Sequence, residues 1–470
     1  MPGFGGILSI ARGALSASQA AVQIASHNIA NANTPGYSRQ REVLSTSAPE
    51  HTPLGIFGTG VTLSTVQRLR DGMLDQEFRN GSAQSSASSM RSELLQRVET
   101  VFSEPSDTGL SFALDQFYNA WSDLASNPAN ASAKTVVQQR GSALAATFNG
   151  IAGQLDRISA ETIARAQTSL VDINRIALQV ADLNRQIVPM ESAGDTASDL
   201  RDQRDMLLDA LGKLATVRVI DRPDGSNQVL LGTLSLVDGN SAKQLQLSTA
   251  SGNLSLQVAG SADRIRNIGG SLGALQDVHN TDLVRMRSSL DTLAVAVVND
   301  INALHRTGWS PPAGAAGNWN PATPPTGSGV DFFDATPINV SAGRMRLSTT
   351  IAADAGSIAS GTALNESGNN ALALAMAGLR DGAPSAANTT FGADLRAIIG
   401  DVAGQVNQAK NSTAVYGALT DQADQRRTAV FGVSVDEELI QVMRQQQAYA
   451  AASKIISTVD EMMQTLLSLR

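Results

Sequence analysis

The densest set of ionisable side chains in the sequence is Asp199-Leu200-Arg201-Asp202-Gln203-Arg204-Asp205. Two carboxylates this close could share acid–base work, one held protonated and the other ionised. The same spacing suits a solvated helix face whose acids and arginines pair at i,i+3, and that is the expectation drawn from it. Asp436-Glu437-Glu438 reads similarly, as acids in the first turn of a helix, where they favour the dipole. The four histidines, His27, His51, His279 and His305, are scattered, with no HExxH or HxH arrangement. There is no G-x-S-x-G elbow and no Walker A loop, and Gly3, Gly5 and Gly6 lack the preceding strand that a phosphate loop needs. The chain has no cysteine, which excludes disulfides and thiolate metal sites. These patterns point to no catalytic, cofactor-binding or metal-binding residues, so no cofactor is expected and the chain reads as a non-enzyme.

If chemistry is absent, the elements themselves carry the signal. The chain has 470 residues, enough for two to four domains, and its 42% hydrophobic content lies in the globular range. Only 4% is aromatic, so the core must come from Ala, Leu, Val and Ile. A net charge of −8 offers no basic field for a nucleic acid. No stretch approaches 18 apolar residues, so no membrane span is expected. The first residues show no basic run ahead of a long apolar one, so they do not read as a Sec signal peptide, and any exit from the cell would take another route.

From Leu8 the apolar positions Leu8, Ala11, Leu15, Ser18, Val22, Ala25 and Ile29 step 3-4-3-4. Ile10, Ala14, Ala17, Ala21 and Ile24 form a second seam on the next face. This helix should stop at 31–33, before the turn signal Pro35-Gly36. The other end mirrors it. Ser434 and Glu437 form a capping box, and Val442, Gln445, Tyr449, Ala452, Ile456, Val459, Met463 and Leu466 repeat the 3-4 step, widened by Ile455, Met462 and Leu469. By periodicity alone these stripes could close on each other or on neighbouring chains.

Between the ends the pattern is helical over 90–102, 110–125, 133–188, 198–215, 281–305, 370–379 and 391–427. The segments VRVI, QVLLGTLSLV, QLQLST and LSLQV within 217–258 read as strands, separated by Asp-Gly-Ser, Asp-Gly-Asn and Ser-Gly-Asn turns. INV and RMRLSTT, between 338 and 350, also look strand-like. The expected architecture is mostly α, with a nested order: terminal assembly helices at 1–33 and 434–470 that pair as a coiled coil, a long-helix domain with some strand at 34–216 and 271–433, a β-rich inserted outer domain at 217–270, and a Pro/Gly-rich surface loop at 309–329.

Ala25-Ser26-His27-Asn28-Ile29-Ala30-Asn31-Ala32-Asn33-Thr34-Pro35-Gly36-Tyr37 resembles the N-terminal signature of bacterial flagellar rod, hook and hook-associated proteins. The continuation Ser38-Arg39-Gln40 narrows the likeness to the hook-associated protein 1 (FlgK) family, whose members join hook to filament. Asp199 to Asp205 is similar to that family's DLLDQRD helix, and Gly269-Gly270-Ser271-Leu272-Gly273-Ala274-Leu275 to its GGxLGxL turn. Gly432-Val433-Ser434-Val435-Asp436-Glu437-Glu438, then Gln445-Gln446-Gln447-Ala448-Tyr449 and Asp460-Glu461-Met462, resembles its C-terminal pattern. Arg444 stands where the family often has Tyr, His27 where it has Asn or Gln, and Asn369 where it has Asp.

The resemblance implies an extracellular structural subunit of the flagellum, exported unfolded by the type III route with a chaperone on the C-terminal helix. It implies contacts with other copies of the chain, with the hook protein, and with a second junction protein through which the filament follows. A hook or distal-rod subunit is the alternative. The terminal helices would be disordered in the free monomer and order on assembly. The implied assembly residues are Leu8, Leu15, Val22, Ile29, Val442, Tyr449, Ile456, Val459, Met463 and Leu466. The family motif is carried by Asn28, Asn31, Pro35, Gly36, Tyr37, Ser38, Arg39, Gln40, Asp436, Glu437, Glu438, Gln446 and Gln447.

Overall fold

The computed structural model describes residues 4–52, 55–102, 106–309, 329–336, 340–363, 366, 368–382 and 389–468. Most of the Pro/Gly-rich segment, most of INV, and the ends Leu469 and Arg470 therefore lie outside the described residues. The chain is mostly helical, with small antiparallel sheets. Helix α1 (Phe4–Asn31) is followed by β1 (Gln40–Thr46), β2 (Glu50–Thr52), β3 (Gly55–Phe57) and β4 (Val61–Arg68). Next come α2 (Gly72–Phe102), α3 (Leu110–Ser126), α4 (Ala131–Ser192) and α5 (Ser198–Leu214). The strand-rich part holds β5 (Val217–Asp221), β6 (Asn227–Leu231), β7 (Leu234–Asp238), β8 (Ser241–Ala242), β9 (Leu245–Ser248), β10 (Ser255–Val258) and β11 (Arg264–Ile265). Helices α6 (Gly270–Asp277), α7 (Val284–His305), α8 (Thr349–Ala353), α9 (Ala371–Gly378), α10 (Phe391–Phe431) and α11 (Val435–Ser468) complete it.

At 62 residues α4 is a rod of about 93 Å. Asn130 caps its start by accepting from the N–H groups of Ser132 and Ala133. Pro189 falls in its last turn, where a missing donor disturbs little of the ladder. Helices α2 and α10 run antiparallel, as the pairing of Glu77 with Arg426 and the approach of Gly81 to Thr420 require. One continuous core joins these helices to the sheets; it is built mostly of Leu, Ala, Val and Ile, with an aromatic cluster of Phe117, Trp121, Phe332 and Phe333 inside it.

The strand-rich region follows the sequence pattern with one correction. QVLLGTLSLV is two strands, because Gly232 takes φ +58 and folds a two-residue hairpin that pairs Leu231 with Leu234. β5 to β8 form a four-stranded antiparallel sheet, and β9 to β11 a three-stranded one. RMRLSTT is not a strand beyond the Phe333–Leu347 bridge; Ser348 caps α8 instead, accepting from Ile351 N–H. Four strands between 40 and 68 carry no sequence assignment of their own. The longest, β1 and β4, pair along their whole length and carry α1 on one side.

His305 is structural. It is fully buried, with Nδ1 2.7 Å from the Val330 carbonyl and Nε2 accepting from Ala359 N–H at 3.1 Å. Burial pulls its pKa down to about 4 against an ordinary 6.5; the Val330 carbonyl and Asp331 oppose the shift and Lys134 adds to it. The folded state thus binds the proton less readily than the unfolded one. Its contribution is complete above about pH 6.5 and falls away between there and about 4, by up to ~3 kcal/mol. Urea unfolding across that range should show this loss, and His305→Asn should flatten it. Equal pH slopes in the two proteins would contradict the assignment.

Candidate assembly site where the chain ends meet

The two ends come together through their motif residues. Pro35 and Gly36 occupy the middle of a turn closed by Tyr37 N–H donating to the Thr34 carbonyl at 3.2 Å. Gly36 has φ +78, and a Cβ there would lie 2.3 Å from Met206 Cγ, so the position excludes a side chain twice over. Asn31 ends α1, its Oδ1 accepting from Thr34 Oγ1 and its Nδ2 donating to the His27 carbonyl. Gly36→Ala is expected to cost ~1–3 kcal/mol from the left-handed backbone and the displaced Met206. Differential hydrogen exchange should place the loss in residues 28–40.

The turn delivers the next residues onto two partners. Asn28, 1% exposed, acts as a strand edge: its Nδ2 donates to the Gln40 carbonyl at 2.8 Å and its Oδ1 accepts from Gln40 N–H at 3.0 Å. Tyr37 Oη donates to the same Oδ1 at 2.8 Å, and His27 packs edge-on against the Tyr37 ring. Burial pushes the Tyr37 phenol up, and the charges of Asp202, Asp199 and Glu438 add to it, so the hydroxyl stays a donor.

From the other end of the chain, Glu438 is 2% exposed and accepts from Asn28 Nδ2 at 3.1 Å. Arg39 Nε lies 2.6 Å from Glu438 Oε1, a charge contact rather than an aligned hydrogen bond, while Arg39 Nη1 donates to Glu437 at 2.9 Å. These acids are therefore not simply dipole acids. Ser434 Oγ does accept from Glu437 N–H, at 3.5 Å, but the Glu437 carboxylate goes to Arg39 instead of closing the capping box.

The charged run 199–205 is not a solvated face. Asp202, Arg204 and Asp205 are all buried, and their partners lie far away in sequence. Ser38 donates to Asp202 through both N–H and Oγ, at 3.0 and 2.7 Å. Arg68 reaches Asp202 and Asp205, Arg70 holds Asp75 and donates to Ser38 Oγ, and Arg79 and Arg427 converge on Asp209. Burial raises Asp202 above the usual carboxylate range against Arg68 and Ser38; at Asp205 burial also pushes upward, but Arg70, Arg68 and Arg79 prevail and hold it below. Carboxylates so fully engaged by arginines and Ser38 form a joint between β4, α2, α5 and α10. Nothing in the sequence singles out Arg68, Arg70, Arg79 or Arg427; only folding brings them onto this helix.

Three family profiles match the chain: the FlgK helical domain of flagellar hook-associated protein over residues 95–318, the FlgEFG basal body rod C-terminal region over 429–469, and the flagella basal body rod protein over 8–37. Flagellar hook-associated protein 1 of Bacillus subtilis is 28% identical, across 98% of this chain and 97% of that protein. The Salmonella typhimurium protein of the same name is 25% identical across 99% and 100%. Over nearly its whole length the chain is thus a homologue of flagellar hook-associated protein 1, a structural component of the hook–filament junction. Its fold is similar to that of the hook junction protein FlgK from Burkholderia pseudomallei, with a TM-score of 0.62 at 17% identity, over 76% of this chain and 100% of that one.

The two terminal motif segments thus meet: Asn28 and Arg39 on one side contact Glu438 and Glu437 on the other, while Tyr37 and Gln40 are held on Asn28. Asn28 facing Glu438 while Ile7 shares a groove with Ile455 and Val459 makes α1 and α11 an antiparallel pair. Small residues are buried along α1, namely Ala11, Ala17, Ser18, Ala21 and Ala25, and on α11 Ala452 and Val459. Leu8, Leu15, Val22, Ile29, Val442 and Ile456 are half-buried. Tyr449, Met463 and Leu466 are exposed at 39%, 40% and 55%. Pro35, Asp436, Gln446 and Gln447 are exposed as well. Among the described residues no metal-holding group of His, Cys, Asp or Glu occurs, and no helix is long and apolar enough to cross a membrane.

Proposed function

We propose that this structural flagellar subunit of the hook–filament junction family assembles through the outer face of its α1–α11 pair. One observation carries the reading. The pair closes its inner seam with small residues but leaves Leu439, Ile440, Met443, Ile455, Met462 and Leu467 exposed, the last at 71%. Apolar surface of that extent on one helix is stabilised when neighbouring copies cover it, each fully buried side chain contributing ~1.5–3 kcal/mol. Other copies of the chain, the hook protein and a second junction protein leading to the filament are the partners that fit this reading, in an extracellular flagellum. Before assembly the same stripe suits an export chaperone, and the chain leaves the cell by the type III route. The role is architectural, without a catalytic step.

Deleting residues 434–470 tests this. The body should still fold, while the variant fails to join the hook and filament subunits are shed into the medium. Normal filaments on that truncation would end the proposal. Limited proteolysis of the free monomer should trim both terminal helices first and spare the central region.

A further inference from the structure

A half-open groove of about 770 Å³ runs between the late part of α4, α5 and the β7–β8 hairpin, lined among others by Leu178, Asp182, Met206 and Ala242. Met206 is 41% exposed. The same side chain lies against the bare Cα of Gly36. A Cβ built there would stand 2.3 Å from Met206 Cγ, 2.4 Å from Sδ and 3.5 Å from Cε. The sulfur is thus part of the surface on which the Pro35–Gly36 turn rests. One helical turn earlier on α5, Asp202 accepts from the N–H and Oγ of Ser38. Helix α5 therefore holds the motif at two neighbouring points, a charged one at Ser38 and an apolar one at Gly36. The chain has no cysteine, so its 11 methionines are the side chains most readily oxidised by two electrons. Met286, Met345 and Met376 are buried, whereas Met206 faces the groove. A thioether is apolar and flexible; its sulfoxide is polar, chiral and one oxygen larger.

We propose that Met206 is a reversible oxidation site whose sulfoxide loosens the terminal turn. Hydrogen peroxide is the oxidant. Its O–O bond breaks, one oxygen joins Sδ, and the other leaves as water with both peroxide protons. The sulfur gives up the two electrons that the peroxide takes. The new oxygen needs space and hydration. Against Gly36 there is no space, since not even a methyl group fits. Turned into the groove the sulfoxide is hydrated, and the turn loses its apolar support. Either way the grip of α5 on this segment falls back on Asp202 and Ser38. Asn28 and Arg39, which contact Glu438 and Glu437, are then less firmly placed.

The test treats the full chain with hydrogen peroxide, follows each methionine by peptide mass and measures amide exchange over 28–40. Met206 should form sulfoxide well ahead of Met286, which is 2% exposed. Exchange across 28–40 should then accelerate by about three- to tenfold, the factor expected for losing the contact of one half-buried apolar side chain. Methionine sulfoxide reductases acting on both epimers should reverse the change. Met206→Leu keeps the apolar support and cannot be oxidised, so its exchange over 28–40 should not respond to peroxide. Met73→Leu, which removes a methionine 83% exposed in the first turn of α2, should respond as the parent does. A Met206 that stays a thioether until Met286 reacts would overturn the site. So would oxidation of Met206 without faster exchange in 28–40, or a peroxide response that persists in Met206→Leu.

Discussion

Asp205→Ala is expected to destabilise the protein by about 3–5 kcal/mol, because it strands several buried arginines at once. Arg68 loses a 2.5 Å contact, and Arg70 and Arg79 lose neighbours at 3.6 and 3.7 Å. Arg68 has Asp202 left, at 3.0 Å, and that carboxylate already serves Ser38. Asp205→Asn should cost less, since the amide oxygen still accepts one bond. Denaturant unfolding measures both. The pH dependence gives a second reading with a definite sign. The pKa of Asp205 is depressed on folding, so its contribution is present above the ordinary carboxylate pKa and lost as pH falls below it. Asp202, raised by burial, acts in the opposite sense and partly offsets that loss. Acid destabilisation should therefore be shallower in Asp205→Asn than in the parent. A cost below 1 kcal/mol for the alanine variant would mean that the joint is not a buried network.

Glu438→Ala is expected to release α11 from the first turn without unfolding the body. It leaves Asn28 Nδ2 with one acceptor and removes the buried partner of Arg39, a loss of about 3–5 kcal/mol for a broken buried pair. The effect should be confined to one place. Amide exchange should accelerate in 4–31 and 435–468, while tryptophan fluorescence from the core around Trp121 keeps its denaturation midpoint. Glu438→Gln should recover part of the loss by accepting from Asn28. A double-mutant cycle between Asn28→Ala and Glu438→Ala should show coupling, because the pair shares one hydrogen bond of 3.1 Å across 410 residues of chain. Additive costs would show that the two ends meet here without cooperating. In cells, the Glu438→Ala subunit should join hooks poorly even though it is exported.

Much of the fold was legible in the sequence because its signals are local. The helices 110–126, 131–192 and 198–214 lie within a few residues of their periodic patterns, and the hairpins follow Asp224-Gly225 and Asp238-Gly239 as their turn chemistry requires. Gly232 was the exception, since a glycine inside a β-rich run marks a turn only once φ is known. The strands of 40–68 escaped for a similar reason. β1 and β4 carry exposed residues on most positions, so burial does not impose an alternating apolar pattern on them.

The sequence by itself determined that two apolar-striped helices end the chain, that a Pro-Gly turn stops the first, and which family's signature both ends bear. Periodicity and turn chemistry depend only on neighbours along the chain, so one dimension suffices for them. Only the tertiary structure decided where the stripes and charges go. It buried the small residues Ala11, Ser18 and Ala25 of α1 and Ala452 and Val459 of α11, and left an apolar face of α11 uncovered. It also turned Asp202, Asp205 and Glu438 from surface acids into buried anchors. Their arginines lie on other elements, and a charge is buried favourably only when folding brings its counter-charge to it.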